Sequence, residues 1–127
     1  MPGNDMTLED FLRDRHPEIQ LYAVFMKPTE RLQPASTPEG AEMMRQHFIF
    51  LLRLEEEGKL FASGPLDPAT PDQEGMCLLA VGSREEAEQI AAAEPFGRAG
   101  WRTNRVRAWQ LNEGAAVPVG MKLTGRA

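Results

Sequence analysis

The sequence predicts an α+β domain of the ferredoxin-like class over residues 19–111, with elements in the order β-α-β-β-α-β. Two observations predict it. Strand-like and helix-like segments follow one another in that order, separated by stretches rich in Pro and Gly. The first and third strand candidates are apolar on both faces, as the central strands of such a sheet are, and the others are not. A chain of 127 residues suits one such domain, with residues 1–18 as an N-terminal extension and 112–127 as a C-terminal tail.

The extension contains a predicted short helix. Thr7 can cap a helix over residues 8–15, and Asp10 is placed to return the capping hydrogen bond three residues later. Pro17 stops this helix. His16 stands beside that proline and is expected to be a solvated residue at the helix end.

The first strand and the longest helix follow. In residues 19–26, the odd and the even positions are both apolar from Leu21 onward, which is typical of a strand buried on both faces. A helix is predicted over residues 38–57, because Thr37 can cap its start and Gly58 suits the left-handed residue that ends it. Residues 60–63 form a short second strand.

The second half of the domain repeats this arrangement. Residues 76–81 are again apolar on both parities and predict the third strand. Ser83 and Glu86 have the spacing of a capping box and open a helix. That helix runs to Ala93, and two breakers follow it, Pro95 and Gly97. Residues 101–111 alternate between charged and apolar side chains, so they predict an outer strand.

Composition excludes several classes of function. The net charge of −5 disfavours nucleic acid, which needs a concentrated basic face. The single cysteine, Cys77, allows no disulfide within the chain and no cysteine-based zinc site, which favours a cytoplasmic location. Residues 1–10 lack the pattern of a signal peptide, and no apolar stretch approaches the roughly 20 residues that span a bilayer.

His47 is the first candidate for chemistry, because histidine exchanges protons near neutral pH. Its neighbours three and four residues away on the predicted helix are all apolar: Met43, Met44, Phe50 and Leu51. The side chain is therefore expected to face inward or into a cleft. Two interpretations remain open, a core histidine bonded to a backbone carbonyl and a functional residue with an acidic partner. No metal is expected, because no second histidine has suitable spacing.

The predicted topology limits which acids can reach His47. The start of the first long helix, the hairpin after the second strand and the end of the second long helix share one rim of the sheet. That rim collects Asp67, Asp72, Glu94 and Trp101. Glu94 is predicted at a helix C-terminus, where the helix dipole disfavours a carboxylate. From spacing alone, a solvated surface acid is the preferred interpretation of Glu94.

Several short motifs resemble those of the YciI-like, or YCII-related, family. They occur in the family's order across residues 19–111 and comprise His47 with Leu51-Leu52, Glu57-Gly58-Lys59-Leu60, Ser63-Gly64-Pro65-Leu66, Ser83-Arg-Glu-Glu-Ala87, Glu94-Pro-Phe96 with Ala99-Gly100, and Val106-Arg-Ala-Trp109. The resemblance implies a dimeric ferredoxin-like α+β barrel. It also implies an active site made of a histidine and an acid.

Carried over by position, the histidine is His47 and the acid is Glu94, where the family usually has Asp. The extra methylene either preserves the acid with a longer reach or marks a site that has drifted. Asp67 is the second candidate for the acid. Where chemistry has been suggested in the family, it is proton transfer or elimination on small, often aromatic molecules.

The first hypothesis is therefore a cofactor-independent lyase or isomerase that acts on a small organic molecule. His47 would be the general base or acid, and Glu94 or Asp67 would orient its ring. The aromatic residues expected to line an apolar substrate pocket are Phe50, Phe96 and Trp101. The alternative is a non-catalytic small-molecule binding or accessory module of the same fold.

A homodimer is the expected assembly. In the first strand Leu21, Ala23 and Phe25 share one parity, and the residues between them are apolar as well. Helices can cover only one face of the sheet, so the other face is left for a second copy. A small-molecule ligand is the other expected partner, whereas nucleic acid and membranes are not expected.

Overall fold

The computed structural model describes residues 3–13 and 19–115. The chain forms two units: Leu21–Trp109 is one, and Met1–Gln20 with Gln110–Ala127 is the other. Within the described ranges no helix combines the length and apolar character needed to cross a membrane. His16 and Pro17 lie outside the described residues, so the expectations about them stay predictions.

The described elements follow the predicted order, with one helix added. They are α1 (Leu8–Leu12), β1 (Ile19–Pro28), α2 (Pro38–Glu56), β2 (Leu60–Pro65), β3 (Gly75–Leu79), α3 (Arg84–Ala93), α4 (Pro95–Arg98) and β4 (Arg102–Leu111). The added element is the single turn α4, which begins at the proline that was expected only to end α3. This short helix determines the geometry of the candidate site described below.

The sheet has the strand order β2-β3-β1-β4. The strand β3 is antiparallel to both β1 and β2, with Val24 opposite Cys77 and Ser63 opposite Cys77 on its other side. The two strands predicted as central, β1 and β3, are central, and the two predicted as outer lie at the edges. The α+β, ferredoxin-like class is therefore confirmed.

The core lies between one face of the sheet and the two long helices. Its buried side chains come from every layer: Val24, Met26, Leu54, Cys77, Leu79, Ala87, Ala91 and Val106. The small residues of α3 let this helix approach the sheet closely. Leu54 supplies the buried apolar contact of α2, about two turns after His47.

The predicted helix ends are confirmed in most cases. The Thr37 hydroxyl accepts a hydrogen bond from the Gly40 N–H, and Gly58 adopts a left-handed φ of 73° after α2. Thr7 and Asp10 form the predicted capping box, but α1 ends at Leu12 rather than near residue 15. At α3 the Ser83 hydroxyl caps the Glu86 N–H as expected.

The predicted capping box of α3 needs one correction. The Glu86 carboxylate, expected to reach back to the helix start, lies 3.2 Å from the Lys59 ammonium instead. A cation within reach competes for the carboxylate, because a charged partner forms a stronger interaction than a backbone N–H does. Ser83 therefore caps the helix with one hydrogen bond, and Glu86 joins α3 to the end of α2.

The second face of the sheet is less exposed than its sequence suggests. Leu21 is 0% exposed, Ala23 is 5% exposed and Leu78 is 8% exposed within a single chain. An apolar cavity of about 330 Å³ opens on that face, bordered by Phe25 and Trp109 among others.

Candidate active site

His47 projects from the middle of α2 into the interior. It is 7% exposed, and its Nδ1 atom lies 3.0 Å from Oε2 of Glu94, which is 47 positions away in the sequence. The partner of this histidine is therefore a carboxylate and not a backbone carbonyl. Such a contact fixes the ring orientation and selects which ring nitrogen carries hydrogen.

Glu94 is held by the junction between α3 and α4. It is 4% exposed and is both the C-cap residue of α3 and the N-cap residue of α4. Its Oε2 accepts the Phe96 N–H at 2.8 Å, and its Oε1 accepts the Gly97 N–H at 3.0 Å. The expectation of a solvated surface acid is thus wrong. The chain restarts a helix at Pro95, so the carboxylate faces a helix N-terminus, where a negative charge is stabilised.

Asn104 on β4 supplies a further contact to this carboxylate. Its Nδ2 donates to Glu94 Oε1 at 2.8 Å and to the Ala91 carbonyl at 3.0 Å. The position of Gly97 makes room for it, since a Cβ there would lie 2.4 Å from the Asn104 amide nitrogen. Together with His47 and the two backbone N–H groups, Asn104 brings the hydrogen bonds on Glu94 to four.

These contacts set the charge of the acid. Burial is the largest influence and raises the pKa of Glu94, but the hydrogen bonds from His47, Asn104, Phe96 and Gly97 together outweigh it. The net result is a pKa below the ordinary value for glutamic acid, so Glu94 is ionised at neutral pH. An ionised carboxylate only accepts hydrogen bonds, which means that Nδ1 of His47 carries the hydrogen.

Cys77 lies in the core behind this pair. Burial, with a smaller contribution from the negative charge of Glu94, raises the pKa of its thiol to about 11. A thiol with that pKa carries almost no thiolate at neutral pH, and the thiolate is the nucleophilic form. Cys77 is therefore an unreactive core residue.

Aromatic rings pack beside the pair. The Phe96 ring is 1% exposed and meets the His47 ring edge-on, with 5.3 Å between the ring centroids. Trp101 lies behind it, with 6.2 Å between their ring centroids. The Arg102 guanidinium stands 3.8 Å above the Phe96 ring centroid. Phe96 thus touches both His47 and Arg102.

An open cavity of about 530 Å³ adjoins His47. Its walls come from α2, β1, β2, the starts of β3 and β4 and the loop between β2 and β3. The apolar wall is formed by Met26, Met44, Phe48 and Leu51, and the polar groups that border the cavity include Ser63, Thr70, Glu74 and Arg102. A volume of this size falls within the usual range for small-molecule sites.

The structure separates the two predicted acids. Asp67 is exposed, has a left-handed φ of 44° and does not border the cavity next to His47. Its backbone carbonyl accepts hydrogen bonds from the N–H and the hydroxyl of Thr70, which fixes it in the turn after β2. Glu94 is therefore the acid that the fold brings to His47.

None of the three aromatic residues predicted to line the substrate pocket borders the cavity next to His47. Phe96 packs against the His47 ring, and Trp101 packs against Phe96. Phe50 packs against the core and borders another cavity, with Lys59 and Glu86, instead of the one beside His47. Phe48, which is 61% exposed, takes the cavity wall. The reason is helix geometry: His47 lies at the boundary between core and cavity, and positions 48 and 50 fall on opposite sides of it.

Some residues of the site were not anticipated from the sequence. Phe48 and Asn104 could not be identified from the sequence, because a single polar or aromatic residue on a helix face or an edge strand has no distinctive local pattern. Arg102 is one of three arginines in the last strand, with Arg105 and Arg107, and the sequence leaves two interpretations of them open, binding of an anionic substrate and protection of an exposed sheet edge by charge. For Glu94 a signal existed. An acid followed directly by proline is typical of an N-cap and the first position of a helix, and it predicts α4. Among the described residues no group of three metal-binding side chains comes together.

Comparison with known proteins agrees with this architecture. The sequence profile of the YCII-related domain matches residues 21–110. The chain belongs to the YCII-related family. Among curated proteins, none matches it significantly.

A solved structure that resembles this YCII-related chain is 5-chloro-2-hydroxyhydroquinone dehydrochlorinase, TftG, from Burkholderia phenoliruptrix, in complex with 2,5-dihydroxybenzoquinone. The TM-score is 0.51 and the sequence identity is 19% over 74% of this chain and 95% of that chain. At this identity the likeness supports the fold.

Proposed function

We propose that this YCII-related protein is a cofactor-independent enzyme of the lyase or isomerase type. His47 transfers a proton to or from a small organic substrate, and Glu94 orients the imidazole and stabilises its charged form. One observation carries the proposal: a buried histidine–carboxylate pair, with 3.0 Å between Nδ1 and Oε2, at the wall of an open cavity.

The hydrogen bonding assigns the reactive atom. Because Nδ1 donates to Glu94, Nε2 is the nitrogen that can accept a proton from a bound molecule. Protonation at Nε2 creates a positive ring next to an ionised acid, so Glu94 stabilises the intermediate state of the proton transfer. The four hydrogen bonds on Glu94 keep that carboxylate in place.

The cavity supports a small substrate with a flat apolar part. Its volume of about 530 Å³ and the side chains of Met44, Phe48 and Leu51 suit a molecule of about the size of one substituted ring. The name of the similar solved structure, a dehydrochlorinase of a hydroxyhydroquinone, motivates aromatic compounds as the first to be tried. Proton transfer by one positioned group supplies only about 10²- to 10⁴-fold, so binding must supply the rest.

The test begins with a metabolite library enriched in hydroxylated and halogenated aromatic acids, phenols and quinols. Compounds that raise the melting temperature of the full chain are then assayed for turnover. His47→Gln is expected to lower kcat roughly 10²- to 10⁴-fold, because Gln can still donate to Glu94 but cannot exchange a proton. The matched control is His16→Gln, which makes the same chemical change at the other histidine and is expected to keep full activity.

A second variant, Glu94→Gln, tests the role of the acid. Its control is Glu55→Gln, which makes the same change at an exposed position near the end of α2. Loss of the charge should lower kcat with a smaller effect on KM, because the carboxylate stabilises the protonated ring rather than the bound substrate. Unchanged turnover in His47→Gln would contradict the proposal. Binding without any turnover of the hits would favour the alternative, a non-catalytic binding module.

We also propose that the protein is a homodimer. An apolar opening on the second face of the sheet, bordered by Phe25, Met76 and Trp109, supports this proposal, and Trp109 is 44% exposed. Two copies related by a twofold axis can close this opening symmetrically. Sedimentation equilibrium at micromolar concentration is expected to give a dimer mass, and Trp109→Glu is expected to give a monomer. A stable monomer of the unaltered chain would refute this.

A further inference from the structure

Arg102 is a group in the cavity that the proposed proton transfer does not use. It begins β4, is half-buried, and borders the same cavity as His47. Among the described residues around that cavity it alone has a side chain with a permanent positive charge, and Glu74 has a negative one. The guanidinium rests on the Phe96 ring at 3.8 Å, a contact that a cation makes with the face of an aromatic ring.

The charge of Arg102 has no acceptor in the part of the chain that the structure describes. Its Nε atom is buried and lacks a hydrogen-bond partner there. The nearby acid Glu94 does not provide one, because its two oxygens already receive four hydrogen bonds from other donors. Arg102 therefore feels the negative charge of Glu94 without being bonded to it.

A buried donor without an acceptor is costly, and a partly desolvated cation more so. Burial indeed lowers the pKa of Arg102, and the charge of Glu94 only partly opposes this effect. An anion in the cavity would supply the missing hydrogen-bond acceptor and a charge opposite to that of Arg102. Guanidinium groups bind planar oxyanions with paired N–H donors, which gives them both affinity and a fixed orientation.

We propose that Arg102 is the anion-binding residue of the cavity, so that the ligand is a small organic molecule with a carboxylate or phenolate oxyanion. This inference rests on the proposed function for the identity of the cavity as a substrate site. Because Arg102 and His47 border the same cavity, an oxyanion bound to Arg102 would hold the rest of the ligand near the imidazole. Arg102 would then determine specificity, while His47 moves the proton.

The test measures binding to the full chain by isothermal titration calorimetry, with benzoate, 4-nitrophenolate and the neutral benzamide as probes. Benzoate or 4-nitrophenolate is expected to bind, and benzamide at least about tenfold more weakly. Tighter binding of benzoate identifies a carboxylate as the preferred oxyanion, and tighter binding of 4-nitrophenolate identifies a phenolate. Equal affinity for benzamide, or no binding of either anion up to about 10 mM, would overturn the proposal.

Variants assign the effect to one side chain. Arg102→Gln is expected to weaken anion binding roughly ten- to hundredfold, the usual effect of a lost charge-assisted contact. Arg102→Lys keeps the positive charge but lacks the planar pair of N–H donors, so it should bind the anion with intermediate affinity. Such partial binding would also show that a substitution at this position leaves the protein folded. The control Arg105→Gln removes an equal charge from an exposed position on the same strand and should have no effect. Equal anion affinity in Arg102→Gln and the unaltered chain would overturn the proposal.

A further pair of variants locates the bound anion. Arg102 also borders a second cavity of about 290 Å³ on another side, near Glu88. Ser63→Trp places a large ring in the cavity of His47 and should abolish anion binding, whereas Ala62→Trp, which does not border that cavity, should not. Binding that persists in Ser63→Trp would contradict the assignment to this cavity.

His47→Gln separates this inference from the proposed function. The variant is expected to keep its affinity for benzoate within about threefold, since Arg102 and not the imidazole holds the anion. Anion binding that survives in His47→Gln, combined with unchanged turnover in the same variant, would refute the catalytic role and leave the binding role intact. Loss of anion binding in His47→Gln would instead refute the assignment to Arg102.

Discussion

Two acids that the sequence assigns to the same rim of the sheet differ in the structure, since one is buried and hydrogen-bonded and the other is exposed. Glu94 is 4% exposed and receives four hydrogen bonds, one of them from His47. Asp67 lies on the surface in the turn after β2. The amino-acid type is nearly the same, so the difference comes from the backbone around each acid.

At Glu94 the chain changes direction by ending one helix and starting another, and the free N–H groups of α4 point at the carboxylate. At Asp67 the chain turns through a left-handed φ of 44°, and the backbone carbonyl rather than the side chain makes the bonds to Thr70. A carboxylate becomes part of a fixed site where the backbone offers it donors. Where the backbone groups form hydrogen bonds with one another, the carboxylate stays exposed to water.

The largest expected difference concerns stability after neutralising each acid. Glu94→Gln should lower the free energy of unfolding by about 3 kcal/mol. The new amide NH₂ would face buried N–H donors, and those donors would lose the charged acceptor that Glu94 provides. Asp67→Asn should change it by less than about 0.5 kcal/mol, because the side chain is exposed and Asn tolerates a left-handed φ. Urea unfolding of both variants measures this, and equal losses would invalidate the comparison.

A smaller effect is expected from filling the space beside each acid. Gly97→Ala should destabilise the protein by about 1–3 kcal/mol, since the new Cβ would lie 2.4 Å from the Asn104 amide and force it off Glu94. Gly64→Ala, near Asp67, meets nothing within 4 Å and serves as the control. Thermal unfolding of the two variants distinguishes them. A melting temperature of Gly97→Ala equal to that of the unaltered chain would show that Asn104 can move freely.

Asn104→Ala should cost about 1–2 kcal/mol of unfolding free energy, because it leaves Glu94 Oε1 and the Ala91 carbonyl each without one donor. Thr103→Ala, at an exposed position beside it, is the control and should be nearly neutral. Since Asn104 acts on the carboxylate, the loss should largely disappear when the change is made in Glu94→Gln. A double-mutant cycle in denaturant tests this, and strictly additive losses would mean that the two residues are independent.

The smallest effect is a pH dependence that belongs to Glu94. The folded state lowers the pKa of this carboxyl, so its ionised form stabilises the protein. That contribution is complete above the unfolded-state pKa of about 4.3 and is lost as the pH falls below it, through the lower folded-state pKa. The stability gap between the unaltered chain and Glu94→Gln should therefore narrow on acidification below about pH 4.3. A gap that stays constant down to pH 3 would contradict the lowered pKa.

The sequence by itself determined the fold class and the inward face of α2. Apolar residues on both parities placed β1 and β3 in the middle of the sheet, and Thr37 and Gly58 marked the ends of α2. The apolar neighbours one turn before and after His47 predicted that it is buried, as it is. These features are readable because periodicity and capping depend on residues only a few positions apart.

The tertiary structure alone decided which distant groups meet at His47. Glu94 reaches it from 47 positions away. Asn104 and Arg102 enter the site from an edge strand, where Asn104 has no local signal and the sequence does not distinguish Arg102 from the other arginines of that strand. It also placed Phe48 rather than Phe50 in the cavity wall, because the boundary between core and cavity runs along α2 beside His47. Such choices follow from how the helices pack on the sheet, and short-range sequence patterns contain no record of that packing.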